Sequence, residues 1–167
     1  MRLAPAVLAV LLYAAAPAAA QSAPTFAVGS TLPTLALTDQ FGETWQVDAR
    51  DRRPVVLVLA GAAHLAEGAE WAREIAYGGT TARVVRVLDV STLSRPVQRS
   101  LRRRLQAEDP IAVDWDGRLA RALRAEGGRP VVVTIRGGVI TGIARGEMRM
   151  PVYADVLTPL LEAAEEG

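Results

Sequence analysis

His64, the chain's single histidine, stands three residues before Glu67. Both follow the point where an apolar run, Val55 to Ala60, gives way through Gly61-Ala62-Ala63 to a helical pattern. One helical turn separates the two side chains, so they can meet, and a histidine–carboxylate pair can serve as a base and its orienter. Such a pair still needs a nucleophile. The chain has no cysteine, and Ser22, Ser30, Ser91, Ser94 and Ser100 all lie outside any G-x-S-x-G turn. As metal ligands, His64, Glu67 and Glu70 form a poor set, because zinc and copper favour several imidazoles or thiolates; no metal is expected. The plainer account is a solvent-exposed first helical turn in which Glu67 sits well against the helix's positive end.

Three other groups of residues invite chemistry. Asp114-Trp115-Asp116-Gly117 has the look of paired acids, but Asp116 reads better as a helix cap, Gly117 as a turn and Trp115 as core or groove lining. Gly127-Gly128 precedes a strand pattern rather than a helix, so it is no phosphate cradle, and no cofactor is expected. Between Arg95 and Arg104, the residues Arg99, Arg102 and Arg103 oppose an apolar stripe and Arg104 flanks it. Guanidinium groups in such a cluster suit carboxylates and phosphates. A solvated face is the commoner explanation, favoured because Arg118, Arg121 and Arg124 form a similar ridge in a chain whose only basic residue besides His64 is arginine. The absence of lysine excludes Schiff-base chemistry. The formal charge is +1, which falls to balance once Arg2 is set aside with a leader, and this argues against general nucleic-acid binding.

These candidates depend on the elements that carry them. "LPTLALTDQFGETWQVD" alternates around Asp39-Gln40-Phe41-Gly42 and predicts a hairpin. Val55 to Ala60 suits a strand covered on both faces. A helix is expected from Leu65 to Tyr77, burying a face of Leu65, Ala69, Ala72 and Ala76 with Trp71 and Ile75 beside it, and ending at Gly78-Gly79. "RVVRVLDV" reads as a second buried strand. Pro96 opens a helix as its first residue, with a stripe of Val97, Leu101 and Leu105. "PIAVDW" is a short third strand, and Asp116 caps a helix of Leu119, Ala122 and Leu123. "RPVVVTIRGGVITGIARG" predicts two strands turned at Gly137-Gly138, and the end of the chain is helical, kinked or restarted at Pro159. Strands alternating with helices call for a parallel-type sheet covered on both sides, with antiparallel edges from the hairpins.

The N-terminus reads as targeting rather than fold. Arg2, an apolar stretch from Leu3 to Ala16 and Ala18-Ala19-Ala20 match a signal peptide cleaved near Ala20, with Ala23 the second choice. Residues 1–20 are therefore expected to be removed, 21–27 to form a tether and 28–165 to form one domain. No cysteine follows the leader to take a lipid, and no later apolar run reaches the roughly 18 residues a membrane helix needs. The expected location is the periplasm or outside the cell. The remaining chain is long enough to bury a core without a disulfide.

Several stretches resemble the redoxin branch of the thioredoxin superfamily, which includes the alkyl hydroperoxide reductase/thiol-specific antioxidant proteins and the exported TlpA-type thioredoxins. "VGSTLPTLALTDQFGETWQVD" is similar to that branch's N-terminal hairpin, "RPVVLVLAGAAH" to the strand leading to its active site, and "PIAVDWDGRLARALRAEGGRPVVVTIRGGVITGIARGE" to its closing half. The resemblance covers about residues 28–165. It implies an α/β thioredoxin-like three-layer sandwich, a mixed central sheet with helices on both faces. It further implies a Cys-x-x-Cys pair where the first strand meets the helix, and a cis-proline facing it. This chain carries His64 and Glu67 in place of the cysteines, with Leu65 and Ala66 between, and Pro130, preceded by Arg129, in place of the proline. Disulfide exchange needs a thiolate, so neither thiol oxidoreductase nor thiol peroxidase chemistry carries over. The resulting expectation is a domain that binds a protein or peptide segment in a retained groove of Ala63, His64, Glu67, Arg129 and Pro130. Alternatives are a non-thiol enzyme or metal-dependent site using His64 and Glu67, or docking of anionic partners through the helix from Arg95 to Arg104. The sequence leaves the oligomeric state open.

Overall fold

The computed structural model describes residues 25–47, 53–106, 109–146, 154–159 and 162. The expected leader, and the part of the expected tether before Thr25, lie outside the described residues. Seven strands form one mixed sheet in the order β2-β1-β5-β4-β3-β6-β7. In chain order these are β1 (Leu35–Asp39), β2 (Thr44–Val47), β3 (Val55–Gly61), β4 (Arg83–Asp89), β5 (Ala112–Asp114), β6 (Val131–Arg136) and β7 (Val139–Arg145). Helix α1 (Leu65–Tyr77) links β3 to β4, α2 (Arg95–Leu105) links β4 to β5, and α3 (Arg118–Ala122) follows β5. Residues 154–159 form a further helical segment, α4, with Pro159 inside it.

Strands β3, β4 and β5 run parallel, and β6 pairs antiparallel to β3, with Leu57 opposite Val133 on one side and Val85 on the other. All seven residues of β3 are buried, as its unbroken apolar run requires of a strand covered on both faces. On one face Val56 and Val58 pack with Trp71, Ala72 and Ile75 of α1 and Val156 of α4. Leu105 of α2 joins Leu88, Val90 and Val113 on that face. The other face holds Leu57, Leu59, Leu119 and Leu123, together with Phe26 and Leu32 from the segment before β1. Phe26 is already tied in, its N–H donating to the Ala122 carbonyl at 2.9 Å. The hairpin at Gly137 (φ 54°) and Gly138 (φ 75°) uses the double left-handed turn that matches the twist of paired strands.

Four local expectations are corrected. The buried face of α1 consists of Gly68, Trp71, Ala72 and Ile75, while Ala76 is exposed. The bulky Trp71 and Ile75 set the rotation, and Gly68 lets the helix close onto β3, where a Cβ would stand 2.7 Å from that of Ala60. On α2, Pro96 is the second helical residue, and the stripe is buried only at its end: Leu105 is enclosed but Val97 is 48% exposed. The cap of α3 comes from Asp114, not Asp116. Its carboxylate accepts the N–H of Arg118 at 3.0 Å and of Ala120 at 2.9 Å, reaching across Gly117, which takes the left-handed φ of 68°. Finally, no peptide bond among the described residues is cis, so the bond to Pro130 is trans. Gly127 (φ 61°) and Gly128 (φ 70°) make the reversal before β6, leaving Arg129 extended (φ −61°, ψ 151°), as a residue before proline prefers.

Candidate functional site

The C-terminal end of β3 delivers the candidate residues. After Gly61 the chain makes one 3-10 turn, Ala62–His64, and enters α1 at Leu65. His64 Nδ1 lies 3.0 Å from Glu67 Oε2, with side-chain exposures of 32% and 28%. The structure thus brings the two together as their spacing predicts. Their bond uses the one imidazole and the nearest carboxylate on each other. Glu70 is exposed and does not join them; among the described residues no three histidine, aspartate or glutamate side chains group closely enough to hold a metal ion.

Opposite this turn stands the loop before β6. The two backbones almost touch: a Cβ on Gly61 would lie 2.8 Å from the Gly128 Cα, and one on Gly128 would lie 4.0 Å from the His64 ring. Glycine at both positions permits this approach. Ala63 and Arg129 are exposed and His64 and Glu67 partly so, whereas Pro130 is buried, its carbonyl accepting the Gly146 N–H at 3.0 Å. The surface at this junction therefore presents Ala63, His64, Glu67 and Arg129, while Pro130 is enclosed.

A second group of polar residues collects at the ends of β4 and β5. Asp89 and Asp114 are register partners there, and both are buried. Asp89 accepts the Ser91 N–H at 2.9 Å. Burial pushes the Asp114 carboxyl above its ordinary value of 3.8; its bond from Ala120 opposes this, while the charges of Asp89 and Asp116 add to it. Asp116 pairs with Arg118 at 2.8 Å on the exposed side. Beside them a cleft of about 760 Å³ separates β1 from the end of β5, lined by Leu35, Leu37, Leu93, Arg95 and Trp115 among others.

Nothing local in the sequence marks the role of Gln40. This residue is 1% exposed. Its side chain donates to the carbonyls of Leu105 (3.1 Å) and Asp109 (3.0 Å) and accepts the Ile111 N–H (2.9 Å). Arg102 Nε donates to the Gln40 carbonyl at 3.1 Å. The β1–β2 turn is thereby latched to α2 and to the strand that follows it.

No protein-family model and no curated protein sequence matches the chain. Solved structures do. The pneumococcal exposed lipoprotein thioredoxin of Streptococcus pneumoniae superposes with a TM-score of 0.60 at 17% identity, covering 78% of this chain and 99% of its own. A Chlorobium tepidum protein described as a thiol:disulfide interchange protein, DsbE, gives 0.59 at 18% identity over 83% and 99% of the two chains. A thiol peroxidase from Chromobacterium violaceum gives 0.50 at 14% identity over 84% and 89%. Identities this low speak to architecture alone. The chain has the α/β thioredoxin-like fold of the redoxin proteins, built without a cysteine.

Proposed function

We propose that this protein is an exported thioredoxin-like domain that has no thiol redox activity and works by binding a protein or peptide segment. The observation that carries the reading is the β3–α1 junction. Where the redoxin resemblance calls for reactive sulfur, the chain holds His64 and Glu67 bonded to each other at 3.0 Å, and no sulfur nucleophile exists anywhere in the sequence. A thioredoxin-like scaffold whose electron-carrying atoms are absent retains only its surface. The binding surface is the one formed by Ala63, His64, Glu67 and Arg129 over Pro130, where two loops are held in backbone contact by Gly61 and Gly128. Export after removal of a leader ending near Ala20 is supported by the leader's pattern and by neighbours whose descriptions include an exposed lipoprotein and a thiol:disulfide interchange protein.

The decisive assay is insulin reduction with a dithiol donor, run beside hydroperoxide consumption. Rates equal to a blank without protein are expected, and turnover above the blank overturns the reading. Binding is tested with a peptide array probed by the native protein and by Arg129→Ala and His64→Ala variants. Loss of the same spots in both folded variants is expected; unchanged spots place recognition elsewhere. The N-terminal mass of protein recovered from the periplasm of an exporting host tests the cleavage point.

A further inference from the structure

We infer that the cleft between β1 and the end of β5 is a docking site for an extended, acidic peptide segment of a partner protein, which adds a strand to β1. This site is separate from the surface at His64.

Strand alternation sets which way each residue of β1 turns its main-chain groups. The Asp39 N–H donates to the Glu43 carbonyl and its carbonyl accepts the Gly42 N–H, so Asp39 turns its main-chain groups toward β2. Groups two residues apart point the same way. Thr38, Ala36 and Thr34 therefore face the opposite side, toward β5. Thr38 has a partner there, Val113. The next residue to oppose Ala36 would be Trp115, but β5 ends at Asp114 and the chain turns away toward α3. The N–H and carbonyl of Ala36, an exposed residue, thus meet the cleft without a strand partner among the described residues, and Thr34 continues the same open edge. Open edges of this kind accept an incoming strand through main-chain hydrogen bonds, with pockets for alternate side chains giving selectivity. Leu35, Leu37, Leu93 and Trp115, all only partly buried, supply apolar walls.

Charge selects the occupant. The cleft continues, through Arg95, Gln98 and Trp115, into an adjoining cavity of about 450 Å³ that Arg99 and Arg102 complete and that no carboxylate lines. Arg102 is held in place by its bond to the Gln40 carbonyl, with its guanidinium 6.0 Å from the centre of the Trp115 ring. The acids at the other end of the cleft are already engaged: Asp114 caps α3 and Asp116 pairs with Arg118. Arg95 and Arg99 form no ion pair among the described residues. An extended segment with glutamate or aspartate on one face meets both the strand edge and the guanidinium groups. A small free anion would use only the second.

The test uses the full chain and two capped synthetic peptides, one alternating glutamate with valine, the other lysine with valine. Calorimetry measures affinity, and amide hydrogen exchange reads the Ala36 N–H. The glutamate peptide is expected to bind, to slow Ala36 exchange by about tenfold or more, and to lose about tenfold in affinity in the Arg95→Glu/Arg99→Glu variant, which in turn gains affinity for the lysine peptide. Ala36→Pro removes only the cleft-facing donor and is expected to abolish binding while the β1–β2 pairing stays intact; should that variant misfold, the charge-reversal variant carries the test. Unchanged Ala36 exchange at saturating peptide overturns the proposal. So does equal binding of the two peptides, or complete competition by inorganic phosphate with no effect at Ala36, which would mark a small-anion pocket. His64→Ala should leave every one of these readings unchanged, so failure here and failure of the His64 surface are told apart.

Discussion

Two aspartates show how the same side chain is tuned in opposite directions by its neighbours. Burial of Asp39 works to raise its carboxyl, but donors outweigh it: the Trp45 indole and the N–H groups of Glu43, Phe41 and Gly42 hold the carboxyl below 3.8. Asp114 is held above 3.8 by its burial. The consequences for stability follow by linkage. Asp39 binds its proton more weakly folded than unfolded, so its contribution is present above pH 3.8 and is lost as the pH falls through its lower folded value. Asp114 binds its proton more tightly folded, so the stability that proton confers is complete below pH 3.8 and is lost as the pH rises from there through the raised folded value. Carboxyl-carbon NMR titration of the folded protein should place the Asp39 midpoint below 3.8 and the Asp114 midpoint above it; the reverse order would contradict the donors assigned to Asp39 and the burial assigned to Asp114. The His64–Glu67 pair belongs to a different class. It is part-exposed at 32% and 28%, and pairs of this kind contribute less than about 1 kcal/mol. His64→Ala is expected to leave the melting temperature nearly unchanged, which makes it a clean probe of binding.

At the scale of elements, the closest packing is where small residues let backbones approach. Gly68→Ala places a methyl 2.7 Å from the Ala60 Cβ. Overpacking of this sort costs about 1–3 kcal/mol, and Ala60→Gly in the same chain should restore part of it, read as the urea midpoint of the double variant against the singles. Gln40 provides the opposite case, a buried polar anchor. Gln40→Leu strands the Ile111 N–H and the carbonyls of Leu105 and Asp109. A loss of about 2–4 kcal/mol is expected from chemical denaturation.

These two residues also mark the limits of what the sequence displays. Strand β3 and helix α1 could be placed almost to the residue, because a continuous β-branched run and a glycine stop are local signals. The rotation of α1 depends on which side chains find room against β3, and Gln40's partners lie 65, 69 and 71 positions away, so neither is written locally. The same reason explains Pro130. The chain reverses before β6 at Gly127 and Gly128, both in the left-handed region, and the close approach of Gly128 to Gly61 joins positions far apart in the sequence. Of the candidate site, the His64–Glu67 bond was legible from spacing, as was the charge of α2. The open edge at Ala36 was not, since it results from how far β5 extends.

For the whole molecule, the mixed sheet and its two covered faces followed from the alternation of elements, and the superposition on redoxin structures gives that architecture independently. A thioredoxin-like chain without cysteine has no thiol–disulfide pair to switch. Its melting temperature should be identical in reducing and oxidising buffer, where a dithiol relative of the same architecture would shift; a difference between the two buffers would point to an unrecognised modification.

The attachment of the first hairpin has a kinetic meaning. Strands β1 and β2 are neighbours in the chain, yet among the described residues their strand pairing with the rest of the sheet runs through β5, at Thr38–Val113 and Asp39–Ala112, with Arg83 of β4 adding a side-chain contact to Trp45 and Gln46. On a nascent polypeptide the hairpin therefore emerges early and waits for a docking partner that is synthesised much later, behind two crossover helices. Closure of so long a loop is a late event. Weakening the Gln40 latch should consequently accelerate unfolding severalfold while leaving the refolding rate almost untouched.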